Sequence, residues 1–360
     1  MATLVTLDEI GAAQRRLAGV AMRTGLHRVE LKRLRAAGVD ELSFELYLKA
    51  ESEQPIGSFK LRGAYNRIAQ LSAEELGRGV ITYSSGNHAQ GVAYAARALG
   101  AKAVIVMPDN APVVKIDATR ALGAEVVLVG PASSARKAKA EELAAAHGYA
   151  VIPPYDDPAI IAGQGTCGLE ILEQLGVVGT GGVVILSPVS GGGLLSGIAT
   201  AVKLACAELS GQRAPGTEGA EIQVWGAEPE LAADAKESFD TKTLVEWSAA
   251  QTTRTISDGL RTQSVGVLNF EHILRFVDGI VTVSEEEILA AMRVMLAATG
   301  LVAEPSGAVT LAAALFHHAE LPACKKMVAV LSGGNIDPEL RREIEAGAAA
   351  DASARARLGV

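Results

Sequence analysis

Apolar residues along the chain occur in short, nearly continuous runs, and helical patterns that end in glycine separate these runs. Runs of this kind, rich in valine and isoleucine, are typical of strands that are buried on both faces of a parallel sheet. They occupy residues 80–83, 103–107, 126–129, 182–186, 222–226, 280–283 and 327–331. The segment 44–49 alternates instead between apolar and polar residues, which also predicts a strand. The pattern therefore predicts an α/β fold with mostly parallel sheets.

An internal repeat marks out a small domain. The sequence Arg-Ala-Leu-Gly-Ala at 97–101 recurs at 120–124, and a valine-rich run follows each copy. Each copy has the pattern of a helix end, a glycine stop and a buried strand, which together make one unit of a parallel sheet. We therefore predict a small α/β domain over 81–158. The large domain is expected to comprise 1–80 and 159–340, followed by an Ala-rich tail over 341–360 and no additional regulatory domain.

Composition limits the classes of function. Of the 360 residues 49% are hydrophobic but only 4% are aromatic, so the core must consist mainly of aliphatic side chains. A net charge of −8 argues against nucleic-acid binding, which needs a basic surface. No run is expected to be long or apolar enough to span a membrane, and the N-terminus lacks a signal-peptide pattern. The three cysteines have no metal-ligand spacing, which is typical of a cytoplasmic protein.

The segment 55–64 contains the first residue with distinctive chemistry, Lys60. It lies between Phe59 and Leu61, where a Pro/Gly turn gives way to a helical pattern. Burial disfavours an ammonium group, so a lysine among apolar neighbours loses its proton easily. A neutral amine can form a Schiff base with a carbonyl, including that of pyridoxal phosphate. The alternative is a lysine that extends from an amphipathic helix into solvent.

Two further polar stretches connect a predicted strand to a predicted helix. Glycine-rich 190–193 predicts an anion site, because backbone N–H groups and a helix N-terminus favour a phosphate there. A nicotinamide site is the alternative, although serine at 196 replaces the third glycine of the dinucleotide motif. The stretch 84–88 would suit a carboxylate or a phenolate, or it could simply cap a helix.

Two other strand ends carry candidate ligands. Glu228 and Asp234 flank a short loop, where two carboxylates and a carbonyl could hold Mg²⁺ or Ca²⁺. The alternative is a solvated acidic loop. Ser332 follows the last predicted strand, where its hydroxyl could meet a heterocyclic nitrogen or cap a turn.

Taken together, five motifs resemble those of the threonine/serine dehydratase and serine racemase family, which are fold-type II pyridoxal phosphate enzymes. The motifs lie at 58–64, 84–88, 162–166, 190–193 and 332–335, in the order that the family has. The resemblance implies a tryptophan synthase β-like fold, with two open, twisted, mostly parallel sheets and helices on both faces. Ser190 departs from the fourth glycine that many members carry, and its hydroxyl could add a phosphate contact.

The resemblance also implies a role for each motif residue. Lys60 corresponds to the catalytic Schiff-base lysine, with Phe59 against the cofactor ring, Asn87 at the phenolic oxygen and Ser332 at the pyridine nitrogen. The phosphate would be held by Ser190, Gly191, Gly192, Gly193 and Leu194. The substrate would be bound by Ser84, Ser85, Asn87, His88 and Thr262, with Thr262 at the β-hydroxyl. A divalent cation would be bound by Glu228, the Ala232 carbonyl and Asp234.

The implied activity is a pyridoxal phosphate-dependent ammonia-lyase reaction on a β-hydroxy L-amino acid, with L-threonine or L-serine as the expected substrate and a homodimer as the expected assembly. Several alternatives stay open. Ser85 occupies the position of the second acid/base of a racemase, but a serine hydroxyl is a poor acid, so elimination is expected to dominate. Arg261 could favour an acidic substrate such as 3-hydroxyaspartate, or it could point to solvent or to Asp258. A phenylserine dehydratase, a β-replacing synthase, and a non-catalytic or nicotinamide-binding protein are further alternatives.

Overall fold

The structure is a computed structural model, and it describes residues 3–39, 42–84, 86–111, 113–130, 133–176, 182–211 and 221–358. The strands are β1 (Leu26–Arg28), β2 (Glu45–Ala50), β3 (Val80–Tyr83), β4 (Ala103–Pro108), β5 (Glu125–Val129), β6 (Ala150–Val151), β7 (Val183–Pro188), β8 (Ile222–Pro229), β9 (Gly279–Val283) and β10 (Lys326–Leu331). The helices are α1 (Leu7–Leu17), α2 (Leu31–Ala36), α3 (Lys60–Ile68), α4 (Ala73–Arg78), α5 (Asn87–Ala98), α6 (Val113–Ala121), α7 (Ser133–His147), α8 (Pro158–Leu175), α9 (Gly193–Gly211), α10 (Asp234–Thr241), α11 (Ala249–Thr252), α12 (Val267–Phe276), α13 (Glu285–Thr299), α14 (Pro305–Phe316) and α15 (Pro338–Leu358).

The strands form two sheets. The larger sheet has six strands in the order β1-β2-β10-β7-β8-β9, and only the β1–β2 pair is antiparallel. The smaller sheet has four parallel strands in the order β5-β4-β3-β6. Strand β4 of the smaller sheet and strand β7 of the larger sheet, which both have neighbours on either side, are buried along their whole length. This burial is what the continuous apolar runs predict. The predicted α/β class with two mostly parallel sheets is confirmed.

Local signals in the sequence account for several helix ends. Thr6 caps α1 and forms a capping box with Glu9, which satisfies backbone N–H groups that have no helical partner. Gly100 follows the end of α5 with a φ of +69°, a conformation that glycine adopts without strain. The tail beyond residue 340 is largely helical, since α15 covers it up to Leu358 and buries Ile344 against α13.

The apolar pattern predicts a helix only over 169–175, whereas helix α8 starts well before that segment. The helix begins at Pro158, behind an Asp157 cap, and includes the glycine-rich motif at 162–166. Its glycines mark close packing instead of a loop. A side chain at Gly163 would approach the Arg62 carbonyl oxygen to 2.7 Å, and one at Gly165 would approach the Gly197 oxygen to 3.0 Å. Glycine thus brings α8 into backbone contact with α3 and α9.

Helix α9 requires a second correction. The segment Gly193–Ser210 is long and apolar enough to span a membrane by length and composition, with a mean hydropathy of 1.3. This apolar character is explained by packing, because many apolar side chains of α9 are buried inside the protein. Leu195, Ile198 and Val202 are fully buried in a cluster with residues of β7 and β8. α9 is therefore placed as a core helix of the large sheet.

Candidate active site

The Lys60 side chain lies in the first turn of α3, beside the segment that follows β6 of the smaller sheet. Its Nζ donates a hydrogen bond to the Pro154 carbonyl oxygen at 2.8 Å and lies 5.1 Å from the centroid of the Phe59 ring. No carboxylate pairs with the amine in the described part of the chain. Burial without a compensating charge lowers the pKa of Lys60 from 10.5 to about 8. The half-apolar surroundings that the sequence predicted for this lysine are present.

The turn before Lys60 is tied to the segment that follows β10. The Phe59 N–H donates to the Ser332 oxygen at 3.0 Å, and the Gly334 N–H donates to the Gly57 oxygen at 2.9 Å. Gly57 has a φ of +72°, so glycine suits this tight turn. Ser332 is 4% exposed, and its hydroxyl donates to the Ser306 carbonyl oxygen at 3.3 Å. The lysine motif and the Ser332 motif, far apart in sequence, therefore form one unit.

The glycine loop between β7 and α9 lies on the other side of the Pro154 segment. A side chain at Gly191 would collide with the Tyr155 ring, and one at Gly193 would approach Tyr155 to 3.2 Å. Gly192 has a φ of +95°, which disfavours other residues. Because Pro154 accepts the Lys60 hydrogen bond and Tyr155 packs on the loop, this dipeptide joins the lysine to the predicted phosphate site.

The start of α5 presents the third predicted group of residues. The Ser84 hydroxyl accepts a hydrogen bond from the Gly86 N–H at 3.3 Å, and Asn87 begins the helix. His88 is buried, and its Nε2 donates to the Ile152 carbonyl oxygen at 3.1 Å. Burial, with Lys60 nearby, lowers the pKa of His88 to about 3, so its ring is neutral at neutral pH. Any carboxylate contact of His88 would therefore come from its backbone N–H.

Ser85 lies outside the described residues, so its assignment as a substrate contact and as an acid/base stays a prediction.

The segment after the short helical turn at 258–260 reaches the glycine loop. The hydroxyls of Ser190 and Thr262 are 2.9 Å apart and form a hydrogen bond. The Gly191 carbonyl oxygen accepts from the Gly266 N–H at 3.0 Å, which braces the same two segments. Arg261 does not reach Asp258: its guanidinium donates twice to the Thr255 carbonyl oxygen, at 2.9 and 2.5 Å. The prediction for Thr262 thus gains a definite neighbour, Ser190.

The two carboxylates proposed as metal ligands lie at the end of β8. Glu228 is fully buried and accepts from the N–H groups of Ala235 and Lys236, at 3.2 and 3.0 Å. Asp234 is 1% exposed, and neither of its carboxylate oxygens has a hydrogen-bond partner among the described residues. Burial raises the pKa of Asp234 to about 7, and burial together with Asp234 raises the pKa of Glu228. Ala232 is also buried, in the turn between them.

Two polar residues of this site escape the sequence predictions. Glu304 accepts a hydrogen bond from Asn87 Nδ2 at 2.6 Å, and Asn335 donates to Asn87 Oδ1 at 2.7 Å. Glu304 precedes Pro305 at the start of α14, and a carboxylate before a helix N-terminus is usually a simple cap. Asn335 stands in a motif whose only predicted role is that of Ser332. The local sequence contains no further signal for either role.

Comparison with known proteins identifies a family whose match includes the residues described above. The sequence profile of the family described as "Pyridoxal-phosphate dependent enzyme" matches residues 23–333. The chain belongs to this family. The match covers the lysine, glycine and Ser332 motifs, and it supports the assignment to fold-type II enzymes that the sequence predicted.

Relatives within the pyridoxal-phosphate dependent enzyme family carry different activities. The L-threo-3-hydroxyaspartate ammonia-lyase of Saccharomyces cerevisiae is 41% identical over 298 residues, 83% of this chain and 85% of that protein. The serine racemase of Schizosaccharomyces pombe is 36% identical over 337 residues, 93% of this chain and 96% of that protein. The crystal structure of a T.th. threonine deaminase is similar with a TM-score of 0.81 and 44% identity, covering 92% of this chain and 99% of that chain.

The residues present fit the cofactor that the family name implies. The glycines of the loop have no side chains of their own, and Tyr155 packs on them. The Lys60 amine has no ionic partner among the described residues. Ser58, beside the lysine turn, has a buried hydroxyl without a hydrogen-bond partner in the same part of the chain. The chain thus has an amine and a glycine-rich strand-to-helix turn joined by one dipeptide. A turn of this type can bind a phosphate, and pyridoxal phosphate requires both an amine and a phosphate site.

Proposed function

We propose that the protein is a pyridoxal phosphate-dependent ammonia-lyase that eliminates water from a β-hydroxy L-amino acid, with L-threonine and L-serine as its substrates. The enamine left after the loss of water is then hydrolysed by a water molecule, so the products are a 2-oxo acid and ammonia. The observation that carries the proposal is the Lys60 amine, which is partly buried, has no ionic partner among the described residues and has its pKa lowered to about 8. Such an amine can serve both as a covalent anchor and as a base.

The residues that would hold the cofactor surround this amine. Lys60 would bind the aldehyde carbon, and the loop at 190–194 would hold the phosphate. Asn87 would contact the phenolic oxygen, and Ser332 would contact the pyridine nitrogen. When bound, pyridoxal phosphate supplies an electron sink for the carbanion formed at the substrate Cα.

The chain's own groups then divide the remaining work. The first turn of α5 offers backbone N–H groups and a helix dipole, which favour the substrate carboxylate next to Ser84. Lys60, as a free amine, would take the proton from Cα. Thr262, held by Ser190, would contact the β-hydroxyl, which would leave as water with its bonding electrons and the proton taken from Cα. Ser332 would face the pyridine nitrogen with a neutral hydroxyl, which donates to a carbonyl oxygen and not to a carboxylate. This contact therefore would not enforce a positive charge on the pyridine ring.

The substrate side chain is the least constrained part of the proposal. Arg261 donates to the Thr255 carbonyl oxygen through Nε and Nη2, so part of its guanidinium is engaged within its own segment. This arrangement supports the small neutral substrates. A second candidate function is 3-hydroxyaspartate ammonia-lyase, which the 41% identity to the yeast enzyme favours.

A substrate panel tests the proposal. Ammonia release from L-serine, L-threonine, 3-hydroxyaspartate and phenylserine is measured on protein reconstituted with pyridoxal phosphate. The highest kcat/KM should belong to L-threonine or L-serine. A higher value for 3-hydroxyaspartate would establish the second candidate, and no ammonia from any of the four would refute the elimination chemistry.

The proposal also states that elimination dominates over racemisation. Elimination needs a leaving hydroxyl that is protonated, whereas racemisation needs a second acid aimed at Cα, for which Ser85 is the candidate. Because a serine hydroxyl is a poor acid without an activating neighbour, pyruvate should form from L-serine faster than D-serine. Chiral chromatography of one reaction measures both products, and faster accumulation of D-serine would make the protein a racemase.

We further propose that Glu228 and Asp234 bind Mg²⁺ or Ca²⁺ with the Ala232 carbonyl. Within the described residues no group of three or more His, Cys, Asp or Glu side chains is arranged to hold a metal ion, so carbonyl and water ligands would have to complete the shell. The support is the Asp234 carboxylate, which is buried with both oxygens unpartnered among those residues. A buried carboxylate in this state is costly unless a cation or a proton compensates it.

A further inference from the structure

Glu304 makes a short, partly buried contact with a residue of the proposed cofactor site. It directly precedes α14 and is 5% exposed, and its Oε1 accepts a hydrogen bond from Asn87 Nδ2 at 2.6 Å. The two residues are 217 positions apart in the sequence. Hydrogen bonds to a carboxylate are stronger than those between neutral groups, particularly where water is excluded. Glu304 therefore restrains the Asn87 side chain from the α14 side.

Asn335 fixes the direction of the same amide from the opposite side. The Ile56 carbonyl oxygen can only accept, so the Asn335 atom that faces it at 2.9 Å must be Nδ2. That Nδ2 also faces Asn87 at 2.7 Å, so the Asn87 atom that faces Asn335 must be the acceptor Oδ1. The Asn87 NH₂ group consequently points to Glu304. It makes this one hydrogen bond among the described residues, which leaves its second N–H available.

Gly333 makes the approach of Glu304 possible. A side chain at Gly333 would collide with Glu304 Oε1 and would approach Asn87 Nδ2 to 3.1 Å. The Gly333 carbonyl oxygen also accepts from the Glu304 N–H at 3.0 Å. The same Ser-Gly-Gly-Asn segment thus provides Ser332, the space for Glu304, and Asn335. Three elements of the fold converge on one amide.

We propose that Glu304 is a positioning residue, which holds the Asn87 amide so that its second N–H is directed at the phenolic oxygen of bound pyridoxal phosphate. The inference rests on the proposed function, because it assigns Asn87 to that oxygen. Glu304 does not touch the reacting atoms and acts only through Asn87.

The charge state of Glu304 follows from its surroundings. Burial, with the Asp258 carboxylate, raises the pKa of Glu304 to about 7, while the Asn87 hydrogen bond and Lys115 oppose this shift. Lys115, on α6, in turn pairs with Asp258. A glutamine can accept from Asn87 as a carboxylate does, so orientation survives a Glu304→Gln change even though the charge is lost.

The test uses 4′-deoxypyridoxine 5′-phosphate, which has the phenol and the phosphate but cannot form a Schiff base. Its Kd is measured by titration calorimetry on cofactor-free wild-type protein, on Glu304→Ala, on Asn87→Ala and on the double variant. We expect Glu304→Ala to raise the Kd about 10-fold in the wild-type background, as the loss of one good hydrogen bond does. In the Asn87→Ala background the same change should alter the Kd less than about 2-fold, because the residue it acts through is gone.

Glu304→Gln should bind the analogue within about 3-fold of wild type, since its side-chain oxygen still accepts from Asn87. Circular dichroism shows whether each variant is folded. A Glu304→Gln variant as weak as Glu304→Ala would refute orientation as the role of Glu304. Equal losses from Glu304→Ala in both backgrounds would show a structural role and overturn the inference alone. A wild-type protein that does not bind the analogue would overturn the proposed function as well.

Discussion

Two lysines close together in the chain, the buried Lys49 and the partly buried Lys60, have opposite environments. Lys49 is fully buried, and its Nζ contacts the Glu170 carboxylate at 2.6 Å, the Thr24 carbonyl oxygen at 2.9 Å and the Gln174 side-chain oxygen at 3.0 Å. The Lys60 amine contacts a single carbonyl oxygen among the described residues. Lys49 has a carboxylate partner and a hydrogen-bond acceptor for each of its three N–H donors. Lys60 has no carboxylate partner and a single acceptor among the described residues.

The Lys49 region is a closed set of ion pairs. Arg62, only two residues after Lys60, contacts Glu51 and Glu170 at 2.7 Å and is 1% exposed. Burial alone would raise the pKa of Glu51, but the Arg62 guanidinium, the Lys49 amine and the Thr24 hydroxyl together outweigh it, so that pKa lies below its ordinary value. Two cations and two carboxylates balance, and they join β2, α3 and α8.

The comparison separates two uses of buried charge. Where every charge has a partner, the groups stay ionised and fix the arrangement of secondary-structure elements. Where Lys60, Glu304 and Asp234 lack full compensation, their pKa values move toward neutral pH and protons become exchangeable. Uncompensated burial, and not burial as such, therefore marks the site.

Removal of the uncompensated lysine should give the largest effect. Lys60→Ala is expected to lower ammonia release by at least about 10³-fold, because it removes the base and the covalent anchor together. The melting temperature should stay near the wild-type value, since no ion pair is broken. Activity near the wild-type level would show that another residue carries out the chemistry. Lys102→Ala, at an exposed ion pair, is the control that should retain activity.

Disruption of the ion pairs around Arg62 should instead lower the stability of the protein. Arg62→Met leaves two buried carboxylates without their guanidinium, and we expect a loss of about 3–5 kcal/mol in the free energy of unfolding. Urea denaturation measures this loss. Lys102→Met, which breaks a half-exposed pair with Glu125, should cost less than about 1 kcal/mol. Similar small losses in both variants would contradict the structural role assigned to the Arg62 set.

A bound divalent cation should compensate the buried charge of the Asp234 carboxylate and thereby stabilise the fold. At a free concentration about 100 times the Kd, Mg²⁺ or Ca²⁺ would stabilise the protein by about 2.7 kcal/mol. Thermal unfolding with and without a chelator measures the effect. Asp234→Asn should stabilise the chelated protein, because it removes a buried charge, and should abolish the response to the cation. A chelator without effect on wild-type melting would remove the metal site from the account.

The smallest expected effect is the pH dependence of Lys60 itself. Between pH 8 and its ordinary pKa of 10.5, the unfolded chain holds a proton on this amine that the folded, cofactor-free protein does not. Stability should therefore rise with pH across this window, relative to a Lys60→Met variant. Parallel stability curves for the two proteins would show that the Lys60 pKa is unshifted.

The sequence predicts those parts of the fold that depend on local patterns. Continuous apolar runs locate the buried strands, and the Thr6–Glu9 box locates the start of α1. The early start of α8 is not predicted, because two glycines in 162–166 resemble a loop, whereas they serve close packing against α3 and α9. That reason exists only in three dimensions.

The site divides in the same way. Motif residues are found where a strand-to-helix turn has its own chemical signature, as at Lys60 and the glycine loop. Glu304 has no such signature, because its partner Asn87 is remote in sequence. Arg261 has several possible partners in the sequence, and the one observed, the Thr255 carbonyl, is a backbone atom that no side-chain pattern reveals. Compensation of charge is likewise a property of the assembled chain.

Borohydride reduction followed by peptide mapping tests the central claim most directly. The protein is reconstituted with pyridoxal phosphate, reduced and digested, and the modified peptide is identified by mass spectrometry. The account predicts a pyridoxyl group on Lys60 and an unmodified Lys49, because only the uncompensated amine is available for a Schiff base. Stable labelling of a different lysine, or a reconstituted protein with no reducible cofactor, would contradict it.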